Sequence, residues 1–428
     1  MKSKKSICLF SLWLLVPLLA SNAIASGQEP QLSPAERKIA AARRAVAEHP
    51  EKYQFYNDLA LALIRRVRET SEFNYYDQAE DALKQSLRLA PDNFESQKLH
   101  ILLILGREQY AQARDAARAL NKRMPDDVMV WGYIADADLA LGDYDDAEKR
   151  TQWMLDLRPG NTPGFERAAR LRTFYGDFDG AMDFLRQAYL ATPPSDSEDL
   201  AWYTSQMAEL ELMTGKLEDA GKFFTQALQL FPRYYLGLEG MARVRMAQHR
   251  SAEAVELLRQ RNQVACHPQD LLALGKALEA AGRRDEADRA YREFEAGVRG
   301  LIAKPGNADR ELVLYYVDRA HRPDEALRIA QIELARRHDV ATLDAYGWAL
   351  YANGNFAEAR RQLEKALSVG VRDATLFFHV GCVASKLDDR TAAARYFKQS
   401  LDLNPFSDVA AAAREALDRR APASATLR

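Results

Sequence analysis

Residues Leu141 to Pro159 read LGDYDDAEKRTQWMLDLRP. A glycine turn at Gly142 is followed by Ala147, and twelve residues after that by Pro159. The alanine recurs as Ala79, Ala113 and Ala181, and the proline as Pro91, Pro125 and Pro193, each 34 residues from the next. With steps of 33 to 39 residues the alanine continues through Ala220, Ala254, Ala287, Ala326, Ala359 and Ala393. Marks repeated at such a period along most of a chain predict a solenoid of stacked units rather than the two or three separate domains that length alone suggests.

Each unit has apolar residues at helical spacing on both sides of its small turn, which predicts two antiparallel helices joined by a short loop. Gly142, Gly176, Gly215, Gly282 and Gly354 fall where the first helix must stop. A left-handed backbone residue ends a helix there, and glycine adopts it without steric cost. The recurrent alanine sits early in the second helix, where a small side chain lets the paired helices approach, and the proline ends that helix. Trp131, Phe165, Leu271, Leu343 and Phe377 open the first helices and are expected to fill the space between units.

This combination of an opening large apolar residue, LGDY or YGDF, the alanine and the closing proline resembles the tetratricopeptide repeat. The resemblance runs over roughly residues 51 to 405, and the later units are similar in wording to bacterial secreted proteins of that family. It implies an all-α fold, a right-handed superhelical solenoid of about ten helix pairs, with capping helices at both ends covering the stacking faces. Three places depart from the pattern: an extra stretch from Arg68 to Glu80, a lengthened linker at PPSDSEDLAW, and a long segment from Glu293 to Tyr316. The expected organisation is a signal peptide over 1–25, an N-terminal segment with a capping helix (Pro34 to Glu48) over 26–50, and the solenoid over 51–405. A second capping helix (Ser407 to Arg419) follows over 406–420, and then a disordered tail over 421–428.

The leader carries Lys2, Lys4 and Lys5, an apolar run from Ile7 to Ala20, and the small-x-small triplet Ala23-Ile24-Ala25. That is the pattern of a cleaved secretory signal, and the run is too short for a spanning helix of about 20 residues. No cysteine follows the run and no Arg-Arg pair precedes it, so neither a lipid anchor nor a twin-arginine route is expected. The expectation is a periplasmic or extracellular protein, with no stable transmembrane span after cleavage. The chain has 59 Lys and Arg against 61 Asp and Glu, and loss of the leader removes three of the lysines, so charge gives no case for nucleic acid. Cys266 and Cys382 are too few and too distant to make a disulfide framework.

A search for chemistry finds no phosphate-binding loop, dinucleotide fingerprint, nucleophile elbow, HExxH or CxxC, and no enzyme, cofactor or metal site is expected. DADLALGDYDD (Asp136 to Asp146) has Leu141 where a calcium loop needs glycine, so it reads as a helix end and a solvated turn. His379 and Cys382 share a helical face but lack further ligands, which reads as a groove residue beside a buried thiol.

In solenoids of this kind the first helices line a concave face. The resemblance implies which positions of each unit face that groove. Carried over, it selects Arg167, Arg170, Trp202, Gln206, Glu209, Arg243, Lys276, Tyr315, Trp348 and Tyr351 as the partner-binding set, with Asp136, Glu166, Asp344 and His379 beside them. Arginines for carboxylates and aromatics for apolar anchors suit a protein or extended peptide. The clamp this family uses for chaperone C-termini is not expected, because no asparagine stands at the sixth place of any unit. The alternatives are a structural component binding through its convex face or ends, and a small-molecule solenoid with a cavity lined by Trp202, Tyr315 and Trp348. With Arg167 and Arg170 both read as exposed, replacing them by alanine is expected to leave stability unchanged.

Overall fold

The computed structural model describes residues 32–264, 267–302 and 309–419. The expected signal peptide, the tail over 421–428 and Cys266 lie outside the described residues. Within them the chain is helical throughout, with 22 helices and no strand. None is long and apolar enough to cross a membrane.

Helix α1 (Pro34–Glu48) precedes the repeats. Its start is fixed by Ser33, whose hydroxyl accepts from the Glu36 N–H while the Glu36 carboxylate accepts from the Ser33 N–H, a reciprocal cap that satisfies two of the helix's free donors. The first half of the array is α2 (Tyr53–Thr70), α3 (Asn74–Leu89), α4 (Phe94–Gly106), α5 (Tyr110–Asn121), α6 (Val128–Leu141) and α7 (Tyr144–Leu157). It continues with α8 (Thr162–Phe174), α9 (Phe178–Ala191), α10 (Ser197–Met213) and α11 (Leu217–Leu230). The second half is α12 (Tyr235–Ala247), α13 (Ser251–Val264), α14 (Asp270–Ala280), α15 (Arg284–Ile302), α16 (Arg310–Asp318) and α17 (Pro323–Leu334). It ends with α18 (Val340–Ala352), α19 (Phe356–Leu367), α20 (Ala374–Lys386), α21 (Arg390–Leu403) and α22 (Ala410–Asp418).

From α2 onwards each even-numbered helix packs on the odd-numbered one that follows it, and each pair packs on the next, α15 meeting α16 through the cluster of Phe294, Val298, Leu312 and Tyr316. The alanine marks sit at these contacts: Ala79, Ala113, Ala181, Ala220, Ala254, Ala326, Ala359 and Ala393 have no exposed surface, and Ala147 and Ala287 have 1%. A side chain larger than methyl has nowhere to go, so Ala147→Leu is expected to cost about 1–3 kcal/mol through overpacking. Chemical denaturation beside the wild type checks this; a variant as stable as the parent would mean that α6 and α7 can separate freely.

The departures seen in the sequence become longer or shorter helices. The extra residues of the first unit lengthen α2 to 18 residues, and the Glu293–Tyr316 segment stretches α15 to 19 while α16 keeps only 9. At the C-terminal end, Ser407 to Val409 form a turn in which the Ala410 N–H donates to the Ser407 carbonyl, so the last helix begins at Ala410 rather than at Ser407.

Candidate functional site

The concave face is not an open groove, because the solenoid coils until its later units meet its earlier ones. The α6–α7 turn docks on the start of α18: the His338 N–H donates to the Leu141 carbonyl at 3.3 Å and the Val340 N–H to the Tyr144 hydroxyl at 2.7 Å. The Tyr144 ring stacks on Phe174 at 4.7 Å and joins an apolar cluster with Val340, Leu343 and Val371. One unit further on, the Arg372 N–H donates to the Phe174 carbonyl at 3.3 Å. Further still, Asn404 Nδ2 donates to the Leu212 carbonyl at 3.4 Å. Two of the turn glycines therefore have a second reason to be glycine. A Cβ at Gly142 (φ +94°) would come within 2.9 Å of the His338 backbone, and one at Gly176 (φ +76°) within 2.5 Å of Arg372 Cδ.

The N-terminal unit closes in the same way. Arg68, near the end of α2, pairs with Asp199 at 2.8 Å and Glu198 at 3.3 Å on the first turn of α10, and the Phe73 ring meets His267 edge-on at 4.6 Å. Burial pushes the Glu198 carboxyl up to about 7, against the opposing pull of Arg68, and the Tyr234 hydroxyl donates to it at 3.1 Å. An unfolded glutamate titrates near 4.3, so the folded chain holds this proton more tightly than the unfolded one. The stabilisation from this group is fully present below about pH 4 and is lost as the pH rises through about 7. Glu198→Gln is expected to flatten the fall in melting temperature between pH 5 and pH 8 that the wild type shows. Parallel curves for the two proteins would remove Glu198 from the account.

Between the two sets of docked turns lies a cavity of about 860 Å³. Of the sequence-derived set it gathers Arg167, Arg170, Trp202, Gln206 and Glu209, with Asp136, Glu166 and Asp344 beside them. Arg167 is a correction to the sequence reading: it is 8% exposed and bonded in every direction to its own chain. Its Nε donates to the Gly132 carbonyl at 3.0 Å, Nη1 to the Pro163 carbonyl at 2.9 Å, and Nη2 to Asp136, which Arg170 also reaches. Burial works against the Asp136 carboxylate, and the two guanidinium groups more than offset it, holding it below the usual carboxylate range.

The other five predicted residues are placed elsewhere. Arg243 pairs with Glu209 at 2.6 Å, and Lys276 with Asp408 at 3.0 Å. Tyr315 lies against Tyr291 and Phe294. Trp348 is 8% exposed, stacked between His379 at 4.0 Å and Tyr351 at 4.6 Å, with its Nε1 donating to Asp318 at 2.7 Å. A cavity lined by Trp202, Tyr315 and Trp348 together is therefore not what forms: Trp202 alone of the three lines it, because Tyr315 is spent packing α16 on α15 and Trp348 packing α18 on α20. His379 gives its Nδ1 to Asp344 at 2.8 Å, and among the described residues no group of three potential ligands is placed to hold a metal.

Sequence reasoning missed the opposite wall. It comes from the turns between units: Arg310 and Leu314 at α16, Arg337 and Asp339 before α18, and Val371, Arg372 and Leu376 around the start of α20. Asp339 and Asp373 cap α18 and α20 through their side chains, a spacing visible in the sequence, but no local signal says that these caps face α8 and α10.

Residues 374–407 match the family model described as tetratricopeptide repeat. Among curated proteins none matches the chain in sequence. Solved structures with similarity include the type IV pilus biogenesis factor PilW, at 16% identity and a TM-score of 0.40 over 48% of this chain and 94% of that one. A human IFIT1 dimer with PPP-AAAA gives 13% identity and 0.45 over 88% and 96%, and the APC/C hetero-tetramer Cut9-Hcn1 gives 11% and 0.35 over 91% and 97%. The matched unit is α20 with α21, so residues 374–407 carry a tetratricopeptide repeat, and an alanine-centred helix pair of the same build recurs from α2 onwards.

Proposed function

We propose that the protein is a non-catalytic binding scaffold of the cell envelope or secreted space, exported through its N-terminal signal, that holds a protein or extended peptide on its concave face. The observation that carries this reading is the cavity: rigid helices on one side and capped helix starts on the other present Trp202, Gln206 and Arg170 to whatever enters. Side chains carried on packed helices need little reordering of the backbone on binding, which favours affinity. The residues around them serve structure, as the Asp344–His379 and Asp136–Arg167 pairs illustrate.

A cross-linked pull-down from the envelope fraction, wild type beside Arg170→Ala/Gln206→Ala, tests it. Loss of a partner in the variant supports the concave site; retention in both moves recognition to the convex face or the ends. N-terminal sequencing of the mature protein is expected to begin at Ser26. A second reading is favoured by the closure itself. A cavity of this volume, shut in by a further turn of the solenoid, falls in the range of about 300–1,000 Å³ that compact ligands occupy.

A further inference from the structure

The ionisable groups around the cavity differ in how completely the protein satisfies them. Every acid on the wall is engaged. Asp136 takes Arg167 and Arg170, Glu166 accepts from the Tyr203 hydroxyl, and Glu209 pairs with Arg243. Asp339 and Asp373 accept backbone N–H groups at the starts of α18 and α20, and Asp344 holds His379. The arginines are not balanced in the same way. Arg167 and Arg170 are committed to Asp136, and Arg337 pairs with Glu333 and, at 3.4 Å, with Asp339. Arg310 and Arg372 line the same cavity, yet among the described residues neither guanidinium has an ion pair or a hydrogen bond. Both side chains are exposed, so in the free protein water satisfies them.

The remaining wall is apolar. Phe174, Trp202, Met213, Leu314, Val371 and Leu376 face the space between the two turns of the solenoid. Two guanidinium groups with open donors beside a large apolar surface define a ligand by its chemistry. A guanidinium binds the two oxygens of a carboxylate or phosphate in parallel, and the apolar surface rewards a hydrocarbon body. The wall's carboxylates already accept hydrogen bonds from the protein, whereas the donors of Arg310 and Arg372 are open to a ligand.

We propose that this cavity binds a compact anionic amphiphile, a carboxylate or phosphate on an apolar body, with Arg310 and Arg372 engaging the headgroup and Trp202 and Leu376 the body. This rests on the compact-ligand reading above and names its chemistry. The headgroup arginines come from α16 and from the turn before α20, and Phe174, Trp202 and Met213 of the apolar wall come from α8 and α10, so the whole site forms only where the solenoid closes on itself.

The test uses the full chain and four probes of one tail length, each below its micelle-forming concentration: decanoate, decyl phosphate, decyltrimethylammonium and decyl maltoside. Isothermal titration calorimetry is expected to show binding of decanoate or decyl phosphate, at least about tenfold tighter than the neutral probe, and none of the cationic one. Which anion binds more tightly assigns the source, a fatty carboxylate or a lipid-type phosphate. Arg310→Gln/Arg372→Gln is expected to lose about tenfold or more for the anions and nothing for decyl maltoside. Arg310→Glu/Arg372→Glu is expected to turn the preference towards decyltrimethylammonium, which a merely structural effect would not do. Melting temperatures of the variants are expected to match the wild type, since both positions are exposed. Equal binding of charged and neutral probes, or anion binding untouched in the Gln variant, overturns the headgroup assignment while leaving a compact-ligand cavity. Binding of none of the four overturns the compact-ligand reading and this inference with it, and returns the cavity to the peptide reading.

Discussion

Arg167→Ala is expected to lower stability by about 3–5 kcal/mol, the cost of removing one partner of a buried ion pair. The side chain ties two helices together through three groups: the Gly132 carbonyl and Asp136 on α6, and the Pro163 carbonyl in the first turn of its own helix α8. Truncation leaves Asp136 with only the more exposed Arg170, and takes a second donor from two helix carbonyls. Arg170→Ala removes a solvated contact to the same carboxylate and is expected to cost no more than about 1 kcal/mol. Asp136→Asn in the Arg167→Ala background is expected to recover part of the loss by removing the uncompensated charge, which a double-mutant cycle in denaturant measures directly. Arrays of repeats can unfold in parts, so hydrogen exchange should locate the lost protection at α6 and α8. Wild-type stability of Arg167→Ala would return this arginine to the binding face.

The second large effect is at Tyr144. Tyr144→Ala removes a ring that is 7% exposed, its stacking on Phe174, and the hydroxyl that accepts the Val340 N–H. Large aromatic truncations in packed sites cost about 3–5 kcal/mol. Here the loss falls on the contact between successive turns of the solenoid rather than on the α6–α7 pair itself. Helix content by circular dichroism is therefore expected to hold while the radius of gyration by X-ray scattering rises, as the array opens and the cavity becomes a groove. Tyr144→Phe keeps the ring and loses the hydrogen bond, and is expected to cost about 1–3 kcal/mol because the Val340 N–H is left buried and unpaired. An unchanged radius in Tyr144→Ala would mean that the neighbouring Arg372–Phe174 and Asn404–Leu212 contacts are enough to hold the turns together.

The sequence was legible wherever one residue type has a single physical job. Alanine at a close helix contact recurs in all ten marks, and all ten are buried. The structure keeps the turn even where the glycine is missing: Glu108, His249, His321 and Asp388 take the same left-handed backbone, with φ between 52° and 59°, that Gly142 and Gly176 take elsewhere. Half of the candidate site was legible too, because first-helix positions fix which side chains look inward, and Trp202, Gln206 and Glu209 do so. Trp348 and Tyr315 misled for a reason the repeat pattern does not encode: an inward position next to another ring is filled by ring contacts between units, Trp348 stacked on His379 and Tyr315 edge-on to Phe294.

By itself, then, the sequence determined the helix pair, its repetition and its inward face, since these depend on contacts within a unit or between neighbours about 34 residues apart. Only the tertiary structure decided that the face closes. Closure brings Leu141 to His338 and Phe174 to Arg372, and it depends on small rotations summed over several units, to which every interface contributes and which no single position reports. The pairing of acids and the sparing of Arg310 and Arg372 belong to that same level. A side chain's charge is written in the sequence, but whether it is already satisfied depends on what the coil brings to meet it.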